Sequence, residues 1–222
     1  KEITDLLENL AIEAKNAGGA IHVLNGNHEI MNVAQDLRYV TKEGFEDFSK
    51  LPGQNLEQPF LIKYPVIQRP RVAAFAPGGS YARILGKRNT IVVVGNVIFV
   101  HGGILPQYVK YGLEKINHDV QQWMTGQNPN FPAIVGREDS PVWSRLYSDN
   151  TDKNACSALD EALRNIPARY MVVGHTVQTQ GINSACDGHV WRIDVGMSKF
   201  YGGPVQVLEI KDNQFKVLKS TK

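Results

Sequence analysis

The sequence has too few cysteines, too little net charge and too short apolar runs for several classes of protein. Cys156 and Cys186 are its only cysteines, which excludes a disulfide-framework protein and a four-cysteine zinc site and leaves open two free thiols or one bridge. Its 24 basic and 22 acidic residues leave a formal charge of +2, too small for binding nucleic acid by bulk charge. No apolar run approaches the ~18 residues of a membrane-spanning helix.

The residues that are present indicate an ordinary globular protein. A chain of 222 residues with 42% hydrophobic and 21% charged residues has the size and composition of a single domain with a sizeable core. Residues 1–5 resemble neither a signal peptide nor a transit peptide. We therefore expect a soluble intracellular protein with no membrane span and no nucleic-acid partner.

Helical and strand patterns mix along the chain, which predicts an α/β fold. Apolar residues at three-and-four spacing predict a helix over residues 1–17 that ends at Gly18 and Gly19, and the apolar run 20–24 predicts a short buried strand. Residues 50–81 are rich in proline and glycine and predict an irregular insertion region. The other expected elements are a hairpin over 91–100, a helix over 107–124, a helix through 159–166, strands at 170–173 and 190–195, and a hairpin over 205–218.

Three segments with metal-binding side chains each follow a predicted strand. Asn27 and His28 follow the first strand, His101 follows the hairpin and His175 follows residues 170–173. Because ligands collect at the ends of neighbouring strands, we expect these side chains to lie together at one edge of a sheet. Amide oxygen and imidazole nitrogen suit manganese, iron or zinc better than calcium. For Asn27 and His28 the competing interpretation is a helix N-cap and a surface histidine.

A hydrolytic pair of metal ions would need carboxylate ligands as well. Three neutral ligands compensate the charge of one metal poorly, and two metals ~3.5–4 Å apart need a bridging carboxylate. Asp36, Asp139 and Asp194 are available, but none of them follows a strand-end glycine. The sequence therefore does not contain a recognisable complete two-metal site.

The candidate segments, in their order along the chain, resemble a known family. Gly26–Glu29, His101–Gly103 and Gly174–Thr176 resemble three sequence blocks of the PPP-type metallophosphatases. Further segments narrow the resemblance to the Shewanella-like protein phosphatases, the bacterial-type branch found in plants, algae, protozoa and some bacteria. These segments are residues 27–32, 36–40, 141–145 and 193–198. The resemblance implies a calcineurin-like metallophosphoesterase fold, an αββα sandwich of two mixed β-sheets flanked by helices, over the single domain 1–222.

The resemblance also implies roles for five residues and a pair of cofactors. Asn27, His101 and His175 match ligands of the second metal, His28 matches the general acid that protonates the leaving alkoxide, and Arg145 matches a phosphate-binding arginine. The implied cofactors are two divalent metal ions, manganese first and iron or zinc as alternatives. The implied activity is hydrolysis of phosphate monoesters in a phosphorylated protein substrate. For a eukaryotic source, a chloroplast or mitochondrial location stays open.

Two family blocks are absent from this sequence. They are Gly-Asp-x-His-Gly and Gly-Asp-x-x-Asp-Arg-Gly, which supply the first metal's ligands, the bridging aspartate, the aspartate that orients the catalytic histidine and a second arginine. We expect that the domain is N-terminally incomplete here, that Lys1 lies near the end of the second block, and that residues 1–222 alone are inactive. The alternatives are a non-catalytic subunit of a larger assembly and a hydrolase of nucleotides such as diadenosine polyphosphates.

Overall fold

The computed structural model describes residues 1–149 and 151–220, which divide into two compact units. The helical unit comprises Lys1–Asn89 and Asn117–Pro132. The sheet unit comprises Thr90–Ile116 and the described residues from Ala133 onward. That residues 1–222 form a single, N-terminally incomplete domain stays a prediction. Among the described residues, no helix is long and apolar enough to cross a membrane.

The helical unit contains six helices in its first segment. The predicted first helix is confirmed, and it ends where expected, because the Gly19 N–H donates to the Ala14 carbonyl at 2.8 Å and the Gly18 N–H to the Lys15 carbonyl at 3.1 Å. The six helices are α1 (Glu2–Asn16), α2 (Asn27–Val33), α3 (Lys42–Glu46), α4 (Pro59–Ile62), α5 (Arg69–Phe75) and α6 (Ser80–Leu85).

The predicted buried strand over residues 20–24 is wrong. Within the described chain, Leu24 makes only an isolated parallel bridge to Asn89, and the side chains of Ile21 and His22 are exposed. A strand is stabilised by a ladder of backbone hydrogen bonds to its neighbours, and a single bridge does not provide one. The apolar run therefore joins no sheet in the described part of the chain.

The prediction of irregular chain over residues 50–81 is also wrong, because α4, α5 and the start of α6 lie there. Pro59 and Pro70 both occupy the first turn of a helix. A proline is tolerated there because the missing N–H would have had no partner inside the helix. In this stretch, these two prolines therefore mark the starts of helices. That the stretch is an insertion stays a prediction.

The sheet unit contains a five-stranded mixed sheet with the strand order β1-β2-β3-β5-β4. The predicted hairpin is confirmed as β1 and β2, and β2 then pairs in parallel with β3, which pairs in parallel with β5. The sequence predicts no strand where β4 lies, and β5 is shorter than the predicted 190–195. The strands are β1 (Ile91–Val94), β2 (Val97–Val100), β3 (Tyr170–Val173), β4 (Asn183–Ala185) and β5 (Val190–Arg192).

The predicted helix over 107–124 consists of two helices, α7 (Pro106–Tyr111) and α8 (Leu113–Met124). They are separated by Gly112, whose φ of 105° lies outside the range of helical backbone. The apolar spacing continues across this break, so periodicity alone did not predict it. The helix predicted through 159–166 is confirmed as α9 (Lys153–Arg164), and the Asp152 side chain caps it by accepting the Ala155 N–H at 2.8 Å.

The core of the sheet unit is formed by residues of the five-stranded sheet, of α7, of the first turn of α8 and of α9. Leu159, Met171, Ile98 and Tyr147 are fully buried in it. Full burial of one such apolar side chain stabilises the fold by about 1.5–3 kcal/mol. The ends of β2 and β3 are therefore held by a well-packed core.

A second sheet of two strands confirms the predicted C-terminal hairpin. It consists of β6 (Gln206–Lys211) and β7 (Gln214–Lys219), which pair antiparallel across Asp212 and Asn213. The predicted mixed α/β fold class is therefore confirmed. The second sheet itself is purely antiparallel.

Cys156 of α9 and Cys186 in the turn after β4 form a disulfide across 30 positions of sequence. Of the two states that the sequence left open, the structure has the bridge. The bond joins a helix to the edge of the five-stranded sheet. It thereby closes a loop that contains most of α9 and all of β3 and β4.

We expect this disulfide to stabilise the fold by restricting the unfolded chain. A closed loop of this length corresponds to about 3–4 kcal/mol, or a melting temperature higher by roughly 7–15 °C. The double substitution Cys156→Ala/Cys186→Ala and treatment with a reductant should therefore lower the melting temperature by similar amounts, measured by circular dichroism. The double variant should not respond to the reductant. Equal melting temperatures for all samples would contradict a stabilising bridge.

Candidate functional site

The parallel pairing of β2 and β3 brings two of the predicted metal ligands together. Val100 lies opposite Val173 at the strand ends, and the Gly174 N–H continues the ladder by donating to the His101 carbonyl at 2.8 Å. His101 is the first residue after β2, and His175 follows one residue later after β3. The two histidines therefore leave neighbouring strands on the same edge of the sheet, as the sequence predicts.

The imidazole rings of these histidines face each other through their nitrogens. His101 Nε2 and His175 Nδ1 are 3.1 Å apart, and both side chains are half-buried. Two nitrogens bound at right angles to one metal, with bonds of about 2.1 Å, lie about 3.0 Å apart. The pair therefore fits two neighbouring ligands of one metal ion. Its donor set suits manganese, iron or zinc.

His175 adopts a backbone conformation that is uncommon for a residue with a side chain. Its φ is 65°, in the left-handed region. Such conformations persist where the surrounding structure fixes them, and they concentrate at functional sites. Here the Gly174–His101 hydrogen bond holds the chain before His175, and Arg145 donates a hydrogen bond to the His175 carbonyl. This turn orients the His175 side chain so that its Nδ1 faces His101.

Gly102 and Gly103 allow close approach of the chain's own backbone to the end of β2. The sequence suggests that two glycines here would let a ligand approach. Instead, the Gly102 N–H donates to the Pro141 carbonyl at 2.7 Å. A Cβ atom on Gly102 would lie 2.9 Å from the backbone of Ser144, and one on Gly103 would lie 2.6 Å from the Tyr147 ring. Both positions therefore require glycine so that residues 141–147 can pack against the His101 loop.

This packing places Arg145, the predicted phosphate-binding residue, beside the turn that holds His175. Arg145 Nη1 donates to the His175 carbonyl at 3.0 Å and to Thr176 Oγ1 at 2.9 Å. The guanidinium is exposed, and no carboxylate in the described part of the chain forms an ion pair with it. Arg145 is thus anchored through one nitrogen, while its charge is available to an anion.

Three further residues, to which the sequence patterns assign no role, support this arrangement. Thr176 Oγ1 is 2.8 Å from Ser148 Oγ, so the hydroxyl that receives Arg145 is itself fixed. The Trp143 ring meets His175 edge-on, with ring centroids 5.7 Å apart. Thr176 and Trp143 lie inside the sequence blocks that carry the family resemblance, and this position is the only sign in the sequence that they belong to the site. Ser148 lies outside those blocks, and only the structure identifies it.

Asn27 and His28 lie in the helical unit, in the first turn of α2. Asn27 is not the N-cap, because Gly26 occupies that position and its N–H donates to Glu29 Oε2 at 2.8 Å. The Asn27 side chain is only 3% exposed, and its Oδ1 accepts no hydrogen bond from any described residue. Leaving a buried carbonyl oxygen unpaired is costly. The orphaned oxygen therefore fits a ligand atom, whereas the His28 side chain is exposed.

The three aspartates that the sequence offers as carboxylate ligands each accept hydrogen bonds from groups of the protein. Asp36 forms a two-point pair with Arg38, at 2.9 and 2.6 Å, which lowers the pKa of its carboxyl group. Asp194 Oδ1 accepts the Gly196 N–H at 3.0 Å. Within residues 1–149 and 151–220, no group of three or more His, Cys, Asp or Glu side chains is arranged to hold a metal ion.

Asp139 is the third of these carboxylates. It accepts hydrogen bonds from Arg137 Nε at 2.9 Å and from the Tyr108 hydroxyl at 2.7 Å. The arginine lowers the pKa of Asp139, while burial and the hydrogen bond to Asp139 raise the pKa of Tyr108 to about 12. Asp139 therefore connects α7 to the loop that precedes residues 141–147 and is a structural carboxylate.

Comparison with known proteins gives the same family as the sequence blocks. No protein-family model matches the chain. The chain is 40% identical to Shewanella-like protein phosphatase 2 of Arabidopsis thaliana, over 95% of this chain and 62% of that protein. It is 29% identical to Shewanella-like protein phosphatase 1 of Plasmodium berghei, over 98% of this chain and 59% of that protein. The chain thus spans about three fifths of the length of these two relatives.

A solved structure gives the same result for the fold. The chain matches a cold-active protein tyrosine phosphatase with a TM-score of 0.75 and 23% identity, over 97% of this chain and 60% of that one. The chain also matches the crystal structure of the cold-active protein tyrosine phosphatase of a psychrophilic Shewanella species, with a TM-score of 0.75 and 23% identity, over 97% of this chain and 61% of that one. At this identity the match shows the fold, and the sequence relatives indicate the branch. The resemblance is therefore confirmed: the chain is a relative of the Shewanella-like protein phosphatases, the bacterial-type branch of the phosphoprotein phosphatases.

Proposed function

We propose that the chain carries part of the active site of a metal-dependent phosphoprotein phosphatase, which hydrolyses phosphate monoesters. The observation that carries this proposal is the His101–His175 pair, with ring nitrogens 3.1 Å apart, next to the anchored and exposed Arg145. A pair of metal ligands beside an unpaired arginine is the combination that phosphoryl transfer to water uses. The names of the relatives support the same class of reaction.

His101 and His175 would hold one divalent metal ion through Nε2 and Nδ1. Asn27 stays the predicted third ligand of that metal, and its orphaned buried oxygen supports this role. When bound, a pair of divalent metal ions supplies a hydroxide nucleophile near neutral pH and neutralises charge on the phosphate. We propose manganese as the natural metal, with iron or zinc as alternatives, because imidazole and amide ligands suit all three.

Arg145 would bind the phosphate group of the substrate. A guanidinium presents its N–H groups in a planar fork that matches two oxygens of a phosphate. The hydrogen bonds from Nη1 to the His175 carbonyl and to Thr176 fix the orientation of the fork before substrate arrives. Arg145 would therefore hold the phosphoryl group still and stabilise the negative charge that develops on it during transfer.

His28 would act as the general acid. As the bond between phosphorus and the ester oxygen breaks, that oxygen leaves as an alkoxide and needs a proton. Protonated His28 would supply it, and the products would be inorganic phosphate and the free hydroxyl of the substrate. The exposed position of the His28 side chain on α2 is compatible with access by a protein-bound phosphate ester.

The first test of the proposed metal site is binding of cobalt(II) to residues 1–222, followed by its visible absorption spectrum. We expect His101→Ala to weaken binding by more than about tenfold, because loss of a ligand costs at least as much as loss of a residue that orients one. His22→Ala is the matched control, since His22 is an exposed histidine outside the pair. Unchanged binding by His101→Ala would contradict the proposed site.

The second test separates a general acid from a metal ligand. In a polypeptide that joins residues 1–222 to the two aspartate-bearing family blocks, His28→Asn should lower kcat on phosphopeptides by ~10²–10⁴-fold. Its metal content should stay unchanged, and His22→Asn should leave both quantities unchanged. Parallel loss of metal and kcat would instead make His28 a ligand. Turnover of diadenosine polyphosphates in preference to every phosphopeptide would replace the proposed substrate class.

A further inference from the structure

The helical unit contains a cavity of about 310 Å³ beside His28. Its wall comes from α2, from the turn that follows α2, from the start of α3 and from Arg71 of α5. Tyr39 forms part of the wall, and its ring is tilted against the His28 ring with centroids 5.4 Å apart. The cavity is thus adjacent to the proposed general acid, and the roles already assigned make no use of it.

Arg71 is fixed within this wall by contacts on several sides. Its Nε donates to Asn32 Oδ1 at 2.9 Å, and its Nη1 donates to the Gly44 carbonyl at 2.8 Å. The guanidinium carbon also lies 4.9 Å from the Phe48 ring centroid and 4.8 Å from that of Phe75. The two aromatic rings and the two hydrogen bonds together fix the orientation of the guanidinium. Its second terminal nitrogen, Nη2, has no hydrogen-bond partner among the described residues.

The charge of Arg71 is not neutralised by any carboxylate within ion-pair distance in the described chain. The two acidic residues in the cavity wall are both engaged elsewhere. Asp36 pairs with Arg38 at 2.9 and 2.6 Å, and Glu29 caps α2 through the Gly26 N–H at 2.8 Å. A partly buried cation normally has an anionic partner. Arg71 is therefore a cation of the cavity wall that has no carboxylate partner among the described residues, in a wall that also carries the charge of Glu29.

Asn32 connects this charge to the proposed general acid. Its Oδ1 accepts from Arg71 Nε at 2.9 Å, and its Nδ2 donates to the His28 carbonyl at 2.7 Å. One side chain thereby fixes the distance between the Arg71 guanidinium and the backbone of His28. A substrate group that binds in the cavity would therefore lie at a fixed distance from the residue that is proposed to protonate the leaving oxygen.

We propose that this cavity binds the carboxylate of an acidic residue that flanks the phosphorylated residue of a peptide substrate, with Arg71 as its partner. A carboxylate matches the planar donors of a guanidinium, and the cavity has room for a glutamate side chain. The proposal rests on the proposed phosphatase function, because it names a preference of the same site. It makes Arg71 a specificity-determining residue.

The test uses peptide pairs that differ only in having glutamate or glutamine on both sides of the phosphorylated residue. Fluorescein-labelled phosphoserine and phosphotyrosine versions are titrated with residues 1–222, and binding is followed by fluorescence anisotropy. We expect the glutamate peptide to bind about tenfold more tightly at low salt, as one charge-assisted contact provides, and the difference to shrink as salt is added. Equal affinities for both peptides would overturn the proposal.

Substitutions then assign the preference to Arg71. Arg71→Gln should reduce the glutamate-to-glutamine ratio to about one, whereas Arg71→Lys, which keeps the charge, should retain part of it. Asn32→Asp places a carboxylate against the guanidinium and should abolish the ratio with Arg71 still present. If Arg71 only braces α5, Arg71→Gln lowers the melting temperature and leaves the ratio near tenfold, which would overturn the proposal.

Failure of the cavity and failure of the proposed function give different results. If the polypeptide that carries the two aspartate-bearing blocks hydrolyses phosphopeptides without a preference for glutamate, only the cavity assignment fails. If the glutamate peptide binds more tightly and Arg71→Gln removes the difference, the anion site is supported even where no phosphopeptide is hydrolysed. In that case the proposed phosphatase function fails alone.

Discussion

The parallel pairing of β2 and β3 is the constraint on which the candidate site depends. Because Val100 lies opposite Val173, the residues that follow the two strands leave the sheet side by side. The hydrogen bond from the Gly174 N–H to the His101 carbonyl extends that register by one step. A shift of one residue in either strand would turn its histidine to the other face of the sheet. The 3.1 Å separation of the ring nitrogens is therefore a consequence of strand register, fixed by the buried core.

Close backbone packing then positions the arginine relative to the histidines. Gly102 and Gly103 have no side chains, so residues 141–147 can lie directly against the end of β2. Arg145 leaves this segment and donates to the carbonyl of His175 and to Thr176. The proposed phosphate-binding group is consequently built onto the same turn as one proposed metal ligand. Displacement of either segment would move both groups.

The sequence predicted the parts of the structure that depend on local patterns. The ends of β2 and β3 can be predicted because the β-rich runs 97–100 and 170–173 stop abruptly at His101 and Gly174. The same reasoning failed for residues 20–24, where the apolar pattern is present but only Leu24 makes a bridge. Strand formation depends on partners that a sequence window does not contain. The break at Gly112 was missed because apolar periodicity continues through it.

Sequence patterns did not predict the contacts between segments that are distant in the chain. The support of Thr176 by Ser148 joins residues 28 positions apart, and the hydrogen bond from Arg71 to Asn32 spans 39 positions. No periodicity or motif encodes either pair. The roles of Arg145 and His28 came from the family resemblance, and they stay predictions. The association of Asn27 and His28 with the histidine pair is likewise still a prediction.

The proposed function depends most on His101 and His175 being two ligands of one metal ion. Anomalous X-ray diffraction from crystals of residues 1–222 soaked in manganese tests it most directly. We expect an anomalous peak about 2.0–2.2 Å from both His101 Nε2 and His175 Nδ1, the range of metal–imidazole bonds. A crystal in which manganese binds elsewhere, while the two rings keep a direct hydrogen bond to each other, would contradict the claim.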